Sequence, residues 1–141
     1  ELMAFDKNMV RLSDSIGNRV VLLFYPAAFT GVCTKEMCTL SGSMNRIESA
    51  EAEVFGISVD GIFANAAFAD ANEINFPLLS DTNRQASRAY GVEIPFVMPD
   101  YTAAQRSVFV IDEVGKISYA WIAENPGIEP DYEAILEHLE S

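Results

Sequence analysis

Basic side chains, histidine and cysteine are all scarce in this chain. Its 141 residues carry nine Lys and Arg against 21 Asp and Glu, one histidine and two cysteines. A nucleic-acid surface needs clustered Lys and Arg to meet phosphates, so no nucleic-acid partner is expected. Two cysteines do not make a disulfide scaffold. Nor do they make a zinc centre, which takes four ligands, and no metal or cofactor is expected. The lone histidine, His138, sits between Glu137 and Leu139, on the side of the last helix away from its apolar stripe, and receives no role. Long apolar runs are missing too. The longest, Val20 to Phe29, already contains Pro26, whereas a membrane-spanning helix takes about 20 apolar residues. The first residues, Glu1-Leu-Met-Ala-Phe-Asp-Lys, lack the basic segment and apolar core of a secretory signal. No membrane association and a cytoplasmic location are the expectations.

The net charge of −12 is unevenly spread. Residues 1–46 hold five basic and four acidic side chains (+1), and residues 47–141 hold four basic and seventeen acidic ones (−13). The acidic excess reads as a solvated surface, with a salt-adapted or acidophilic source as the other reading. The region around the cysteines escapes it, as a site that must hold a thiolate should. Half the residues are hydrophobic and a fifth are charged, the profile of an ordinary globular domain with its own core. With no repeats, no low-complexity tracts and no linker, residues 1–141 are expected to form one domain.

The organising stretch runs from Arg19 to Leu40. Val20 to Tyr25 is a continuous apolar run that reads as a buried strand, ended by Pro26, which has no N–H for a ladder. After Gly31 the apolar residues Cys33, Met37, Leu40, Met44 and Ile47 recur at helical spacing, and the helix is expected to run to about Glu48. Cys33 thus falls in the first turn, where unpaired N–H groups and the dipole favour a thiolate over a thiol.

Around this stretch, Leu2 to Leu12 reads as a short hairpin and Ser13 to Asn18 as a turn. Glu53 to Val59 is a second buried strand. A helix follows over Ile62 to Ala71, with Phe63, Ala67 and Ala71 at helical spacing. Phe76 to Leu79 is a short extended segment, and Asn83 can cap a helix reaching about Tyr90. Val92 to Gln105, with Pro95 and Pro99, reads as a surface loop. Ser107 to Ile111 and Lys116 to Ile122 form a hairpin through Asp112-Glu-Val-Gly. Asn125-Pro-Gly is a turn. Pro130 opens a last helix whose buried stripe is Tyr132, Ile135, Leu136 and Leu139. Strands alternating with helices predict an α/β sheet covered on both faces and closed by an antiparallel hairpin.

Pro26-Ala-Ala-Phe-Thr30-Gly-Val-Cys33 matches the P-x-x-x-[TS]-x-x-C pattern of the peroxiredoxins, and it falls where a strand gives way to a helix. Phe76-Pro-Leu-Leu-Ser-Asp81, Tyr90-Gly91-Val92 and Arg106-Ser-Val-Phe-Val-Ile-Asp112 resemble later landmarks of that family, in order and at suitable spacing. The resemblance covers essentially the whole chain. It implies an α/β thioredoxin-like fold, a central mixed β-sheet flanked by helices. One departure is the start: the Gly/Ala-Pro-x-Phe opening of the family is lacking, so a few N-terminal residues are expected to be missing or trimmed.

The resemblance implies a thiol peroxidase for hydrogen peroxide or alkyl hydroperoxides, recycled by thioredoxin or a similar dithiol reductant. Cys33 is the nucleophile. Thr30 places its hydroxyl beside sulfur and peroxide, both donating and accepting, or serves only as helix N-cap, two roles that coexist. The Val32 and Cys33 N–H groups donate toward the peroxide oxygens. Pro26 shields the sulfur, or merely ends the strand. Arg106 is carried over from the family as the cation that stabilises thiolate and transition state. Thiolate population alone does not make a fast peroxidase, since nucleophilicity falls with thiol pKa. The rest comes from alignment of the oxygens and stabilisation of the departing charge. Glu36 reads as a first-turn helix acid rather than as a partner for Arg106, and Arg84 and Arg88 as surface charges.

Cys38 resembles the resolving cysteine of the bacterioferritin-comigratory group, while the motif's style is also similar to the one-cysteine-like group related to alkyl hydroperoxide reductase E. In an intact helix, residues five apart have Cα atoms about 8.7 Å from each other, and a disulfide wants less than about 7 Å. Cys33 and Cys38 therefore join only if the first turns unwind; the other reading makes Cys38 a small hydrophobe filling space. The competing functions are a peroxide sensor or relay using the same Cys33, a thioredoxin-type oxidoreductase, which would want C-x-x-C, and a thioredoxin-fold binding module, which would not need Thr30, Cys33 and Arg106 together. A monomer or homodimer is expected, with Ile94 to Tyr101 (Phe96 and Met98) as an exposed apolar patch.

Overall fold

Strand β3 (Arg19–Phe24) is paired along both edges inside the sheet, and its pleat sorts the apolar run onto two faces. Val21 and Leu23, with Tyr25 just beyond, join Met37, Leu40, Phe68, Ile135, Leu136 and Leu139 in one core cluster. Val20, Leu22 and Phe24 join Phe55, Ile57, Leu79, Phe109 and Ile111 in the other. A computed structural model describes residues 1–4, 6–125 and 127–141. The expected Asn125-Pro-Gly turn includes Pro126 and the first hairpin includes Phe5, both outside the described residues.

Among the described residues the other strands are β1 (Leu2–Ala4), β2 (Met9–Val10), β4 (Ala52–Ser58), β5 (Leu78–Ser80), β6 (Glu93–Phe96), β7 (Met98–Ala104), β8 (Ser107–Ile111) and β9 (Ile117–Ile122). The helices are α1 (Gly31–Ser41), α2 (Met44–Ser49), α3 (Ile62–Asn72), α4 (Gln85–Ala89) and α5 (Tyr132–Glu140). Seven strands form a mixed sheet in the order β2-β1-β5-β4-β3-β8-β9. β3, β4 and β5 run parallel, and β8 and β9 close that side antiparallel. This is the α/β sheet expected from the alternation of strands and helices. Gly56 in β4 is needed for close packing: a Cβ there would lie 2.6 Å from Leu78 Cδ2 and 3.3 Å from Tyr25 Cε1.

Several local expectations give way. The cysteine helix stops at Ser41 rather than near Glu48. Ser41, Gly42 and Ser43 are poor helix formers, and the turn tightens as the Ser43 N–H donates to Leu40 O at 3.0 Å. α2 then restarts and keeps Ile47 buried. The turn at Ser13 is a 3₁₀ helix over Leu12–Ser15. The segment from Val92 to Gln105 is no loop but holds the two-stranded ribbon β6–β7. Its prolines fit because a separate ribbon has free edges that need no donor, and Val97, at φ 70, makes the turn. Of the expected apolar patch, Met98 is exposed (57%), together with Val97 (89%), whereas Phe96 is half-buried, as are Ile94 and Tyr101.

Asn83 does not cap α4. The buried Asp81 does so instead, accepting from the Ala86 and Ser87 N–H groups at 3.1 and 2.8 Å. In α3 the spacing of Phe63, Ala67 and Ala71 faces outward, and the buried side is Asn65, Phe68 and Ala69. Phe68 anchors that side by packing its ring on Tyr25 and Phe29 at 6.0 and 5.2 Å. α5 begins after Asp131, whose carboxylate accepts from the Ala134 N–H, so Pro130 precedes the cap. Ile135, Leu136 and Leu139 are its buried stripe. His138 lies 2.9 Å from the Ser118 hydroxyl, against β9. No helix among the described residues is long and apolar enough to cross a membrane.

Candidate active site

The chain leaves the sheet at Pro26. The Tyr25 N–H still donates to Ile57 O at 3.0 Å; the next residue has no donor, and the backbone turns away. Phe29 adopts φ 63, left-handed for a residue with a side chain, and Thr30 returns to extended geometry as the N-cap of α1. The Thr30 hydroxyl makes no bond to the helix; it donates to Ala27 O at 2.9 Å. Its proton is committed to the loop, which leaves its lone pairs to accept. Pro26 is buried at the base of the loop.

Cys33 is the third residue of α1 and fully buried. The first intrahelical bond is Thr34 N–H to Thr30 O, so the N–H groups of Gly31, Val32 and Cys33 precede it and point out of the helix end. The partner comes from far along the chain. β8 runs antiparallel to β3 with Ser107 opposite Phe24, which sets Arg106 at the end of the sheet where the cysteine loop begins. The Gln105 amide fixes the backbone there, donating to Ala123 O at 2.9 Å while its oxygen accepts from the Arg106 N–H. From this position Arg106 Nη2 donates to Cys33 Sγ at 3.1 Å.

The same buried guanidinium donates through Nη1 to Glu36 Oε2 at 2.6 Å. Glu36 therefore partners Arg106, against the first-turn role read from the sequence. One signal was present: 33, 36, 37 and 40 share one helical face, so an acid at 36 lies on the buried stripe. Burial alone would lower the Arg106 pKa, but the charges of Cys33 and Glu36 raise it. Glu36 Oε1 has no hydrogen-bond partner among the described residues. Burial pushes the Glu36 carboxyl up to about 7, against the opposing pull of Arg106.

A carboxyl raised this way stabilises the fold fully below its unfolded value near 4.5, and that contribution is lost as pH rises through about 7. The Glu36→Gln variant, neutral throughout, should therefore gain stability on the wild type between pH 5 and pH 8. The gain should be on the order of 2–3 kcal/mol. Thermal unfolding of both proteins across that range checks it; a constant difference would refute it.

Cys38 lies one and a half turns further on, exposed, with its sulfur 3.9 Å from Asn72 O. Both cysteines are free thiols. The site thus joins Cys33, Arg106 and Glu36 in direct contact, with Thr30 and Pro26 in the loop beside them and Cys38 on the opposite, solvent side of the helix. Arg84 spans Thr82 and Thr102 carbonyls and lies over the Tyr101 ring, and Arg88 pairs with Glu93; neither touches the cysteine.

The AhpC/TSA family model matches residues 1–120. The chain belongs to this family, the peroxiredoxins. This peroxiredoxin chain is 37% identical over 118 residues to peroxiredoxin Bcp of Escherichia coli, covering 82% of itself and 76% of that protein. It is 34% identical over 140 residues to the chloroplastic 2-Cys peroxiredoxin BAS1 of Hordeum vulgare, covering 94% of itself but 64% of that protein. It spans about half, 51%, of two other chloroplastic relatives. Its fold superposes on the crystal structure of peroxidoxin BcpB from Mycobacterium tuberculosis with a TM-score of 0.88 at 31% identity, over 99% of this chain and 90% of that one. The thioredoxin-like fold follows.

Proposed function

We propose that the protein is a thiol peroxidase that reduces hydrogen peroxide or alkyl hydroperoxides at Cys33. The observation that carries this reading is the 3.1 Å contact from a buried guanidinium to a buried sulfur at a helix start. The Cys33 thiolate attacks one peroxide oxygen, the O–O bond breaks, and the other oxygen leaves as hydroxide or alkoxide and takes up a proton. Cys33 is left as the sulfenic acid. Arg106 and the first-turn N–H groups stabilise the charge that moves from sulfur to the departing oxygen. Thr30 accepts a hydrogen bond from the peroxide O–H, and Pro26 keeps water from the sulfenic acid.

Recycling goes through Cys38. Its thiolate attacks the sulfenic sulfur, the S–O bond breaks and the hydroxide takes up a proton as water; the disulfide is then reduced by a dithiol of thioredoxin type, which is itself oxidised. α1 must unwind at its start for the two sulfurs to meet. The Lys35–Glu129 pair, at 3.0 Å, joins this turn to the segment before α5 and must part as well; exposed as it is, it resists by no more than about 1 kcal/mol.

Mass measurement after one equivalent of peroxide tests the chemistry: Cys33 should gain one oxygen, trapped by dimedone. No oxygen at Cys33 would sink the proposal. Replacing Cys38 with serine should leave that first oxidation within about twofold of wild type while stopping thioredoxin-coupled turnover. Undiminished turnover in the Cys38→Ser protein would remove Cys38 from the cycle.

A further inference from the structure

Beneath the cysteine loop lies a set of polar side chains that the chemistry above does not use. The buried Tyr25 hydroxyl donates to Asn65 Oδ1 at 2.8 Å, and Asn65 Nδ2 donates to the Ser80 hydroxyl at 3.3 Å. The buried Ser58 hydroxyl donates to Asp60 Oδ2 at 2.8 Å and lies 3.4 Å from Asn65 Oδ1. Residues at the ends of β3, β4 and β5 and in the first turn of α3 are thereby tied into one cluster. From its edge, Asp60 Oδ2 accepts the Ala28 N–H at 2.8 Å.

Ala28 lies midway between Pro26 and Thr30. The next residue, Phe29, is at φ 63 and 57% exposed. A residue with a Cβ is disfavoured in that region and stays there only when its surroundings hold it. The Thr30–Ala27 hydrogen bond closes the loop on itself but does not tie it to the body of the protein. The Asp60–Ala28 bond does, and it is directional where the other tie, the Phe29 ring on Phe68 at 5.2 Å, is a packing contact.

We propose that Asp60 is a positioning residue for peroxide reduction: oriented by Ser58, its carboxylate fixes the Ala28 amide and so sets the Thr30 hydroxyl relative to Cys33 Sγ. The inference rests on the peroxidase reading. Asp60 touches neither sulfur nor peroxide, and acts through the loop. The bland role for the same residue is to precede the N-terminus of α3, where a negative charge favours the helix. The two roles differ in what they do to chemistry. A displaced hydroxyl slows a reaction that must align two oxygens with sulfur and leaves untouched one that needs only the sulfur.

The experiment measures two second-order rates at Cys33 in the full chain. One is oxidation by hydrogen peroxide in stopped flow, and the other is alkylation by iodoacetamide, assigned to Cys33 by peptide mass. In Asp60→Ala the peroxide rate should fall ~10–100-fold, the loss that a displacement of about 1 Å brings, with alkylation changed less than about threefold. Asp60→Asn keeps an oxygen for the Ala28 amide and should recover to within about fivefold of wild type. Should Asp60→Ala fail to fold, Asp60→Glu, with its carboxylate one methylene out of place, gives the same comparison. Equal losses in both reactions, no loss in either, or an Asp60→Asn protein as slow as Asp60→Ala would overturn the proposal. A wild type that peroxide does not oxidise at Cys33 overturns the peroxidase reading itself; a reactive wild type with an unaffected Asp60→Ala overturns only the role of Asp60.

Discussion

Replacing Cys33 with serine is expected to bring peroxide consumption down to that of buffer, with the fold intact. An alcohol lacks the ionised, polarisable nucleophile that attacks a peroxide oxygen, and the serine oxygen cannot be carried to a sulfenic acid. Cys33 sits in the core cluster with Met37 and Leu40. The smaller, more polar side chain loses some packing but still offers Arg106 an acceptor, so stability should change by about 1–2 kcal/mol at most. Peroxide consumption with a dithiol reductant, alongside circular dichroism of the fold, checks both parts. Retained turnover in a folded Cys33→Ser protein would move the chemistry to another residue.

Arg106→Gln should lower the rate constant for oxidation of Cys33 by ~10²–10³-fold, the usual effect of removing one preorganised donor from a developing charge. Arg106→Lys should be intermediate, because an ammonium is a point charge and cannot reach Sγ and Glu36 as the two arms of one planar fork do. Stability should show the other side of the same geometry. Without the guanidinium, Glu36 is a buried carboxyl with no cation beside it. Beside Arg106 the carboxyl is already pushed up to about 7, and without the guanidinium it goes higher still; the loss relative to wild type is therefore modest at pH 5.5, where Glu36 is neutral in both proteins, and grows as pH rises to 8. The double variant Arg106→Gln with Glu36→Gln should recover the stability at pH 8 but none of the rate. A single variant equally stable at pH 5.5 and 8, or a rate within threefold of wild type, would break the link between this pair and the chemistry.

The local signals in the chain were strong where one residue type has one structural meaning. Pro26 ended the strand because it cannot donate, and the switch from a continuous apolar run to a spacing of three and four marked α1. The same signals misled where an environment could override them. Pro95 and Pro99 mark a loop if a strand must be central, yet they are harmless in the ribbon β6–β7. Phe63 suggested an inward face for α3, but Phe68 was claimed by the rings of Tyr25 and Phe29 and turned Phe63 to solvent. Asn83 had the right chemistry for a cap and lost the position to Asp81, which reaches two N–H groups of α4 from the end of β5.

By itself, the order of residues determined the alternation of strands and helices, the loop that carries Thr30 and the placing of Cys33 in a helix's first turn. Each of these depends on neighbours within a few positions, through dihedral preference and hydrogen-bond closure. Only the packed structure decided that Glu36 pairs with Arg106 and that Asp60 reaches the Ala28 amide. Those contacts join residues as much as 70 positions apart. They exist because the register of β8 on β3 and the parallel pairing of β3 with β4 bring separate strand ends to one edge, and no local pattern fixes such a register.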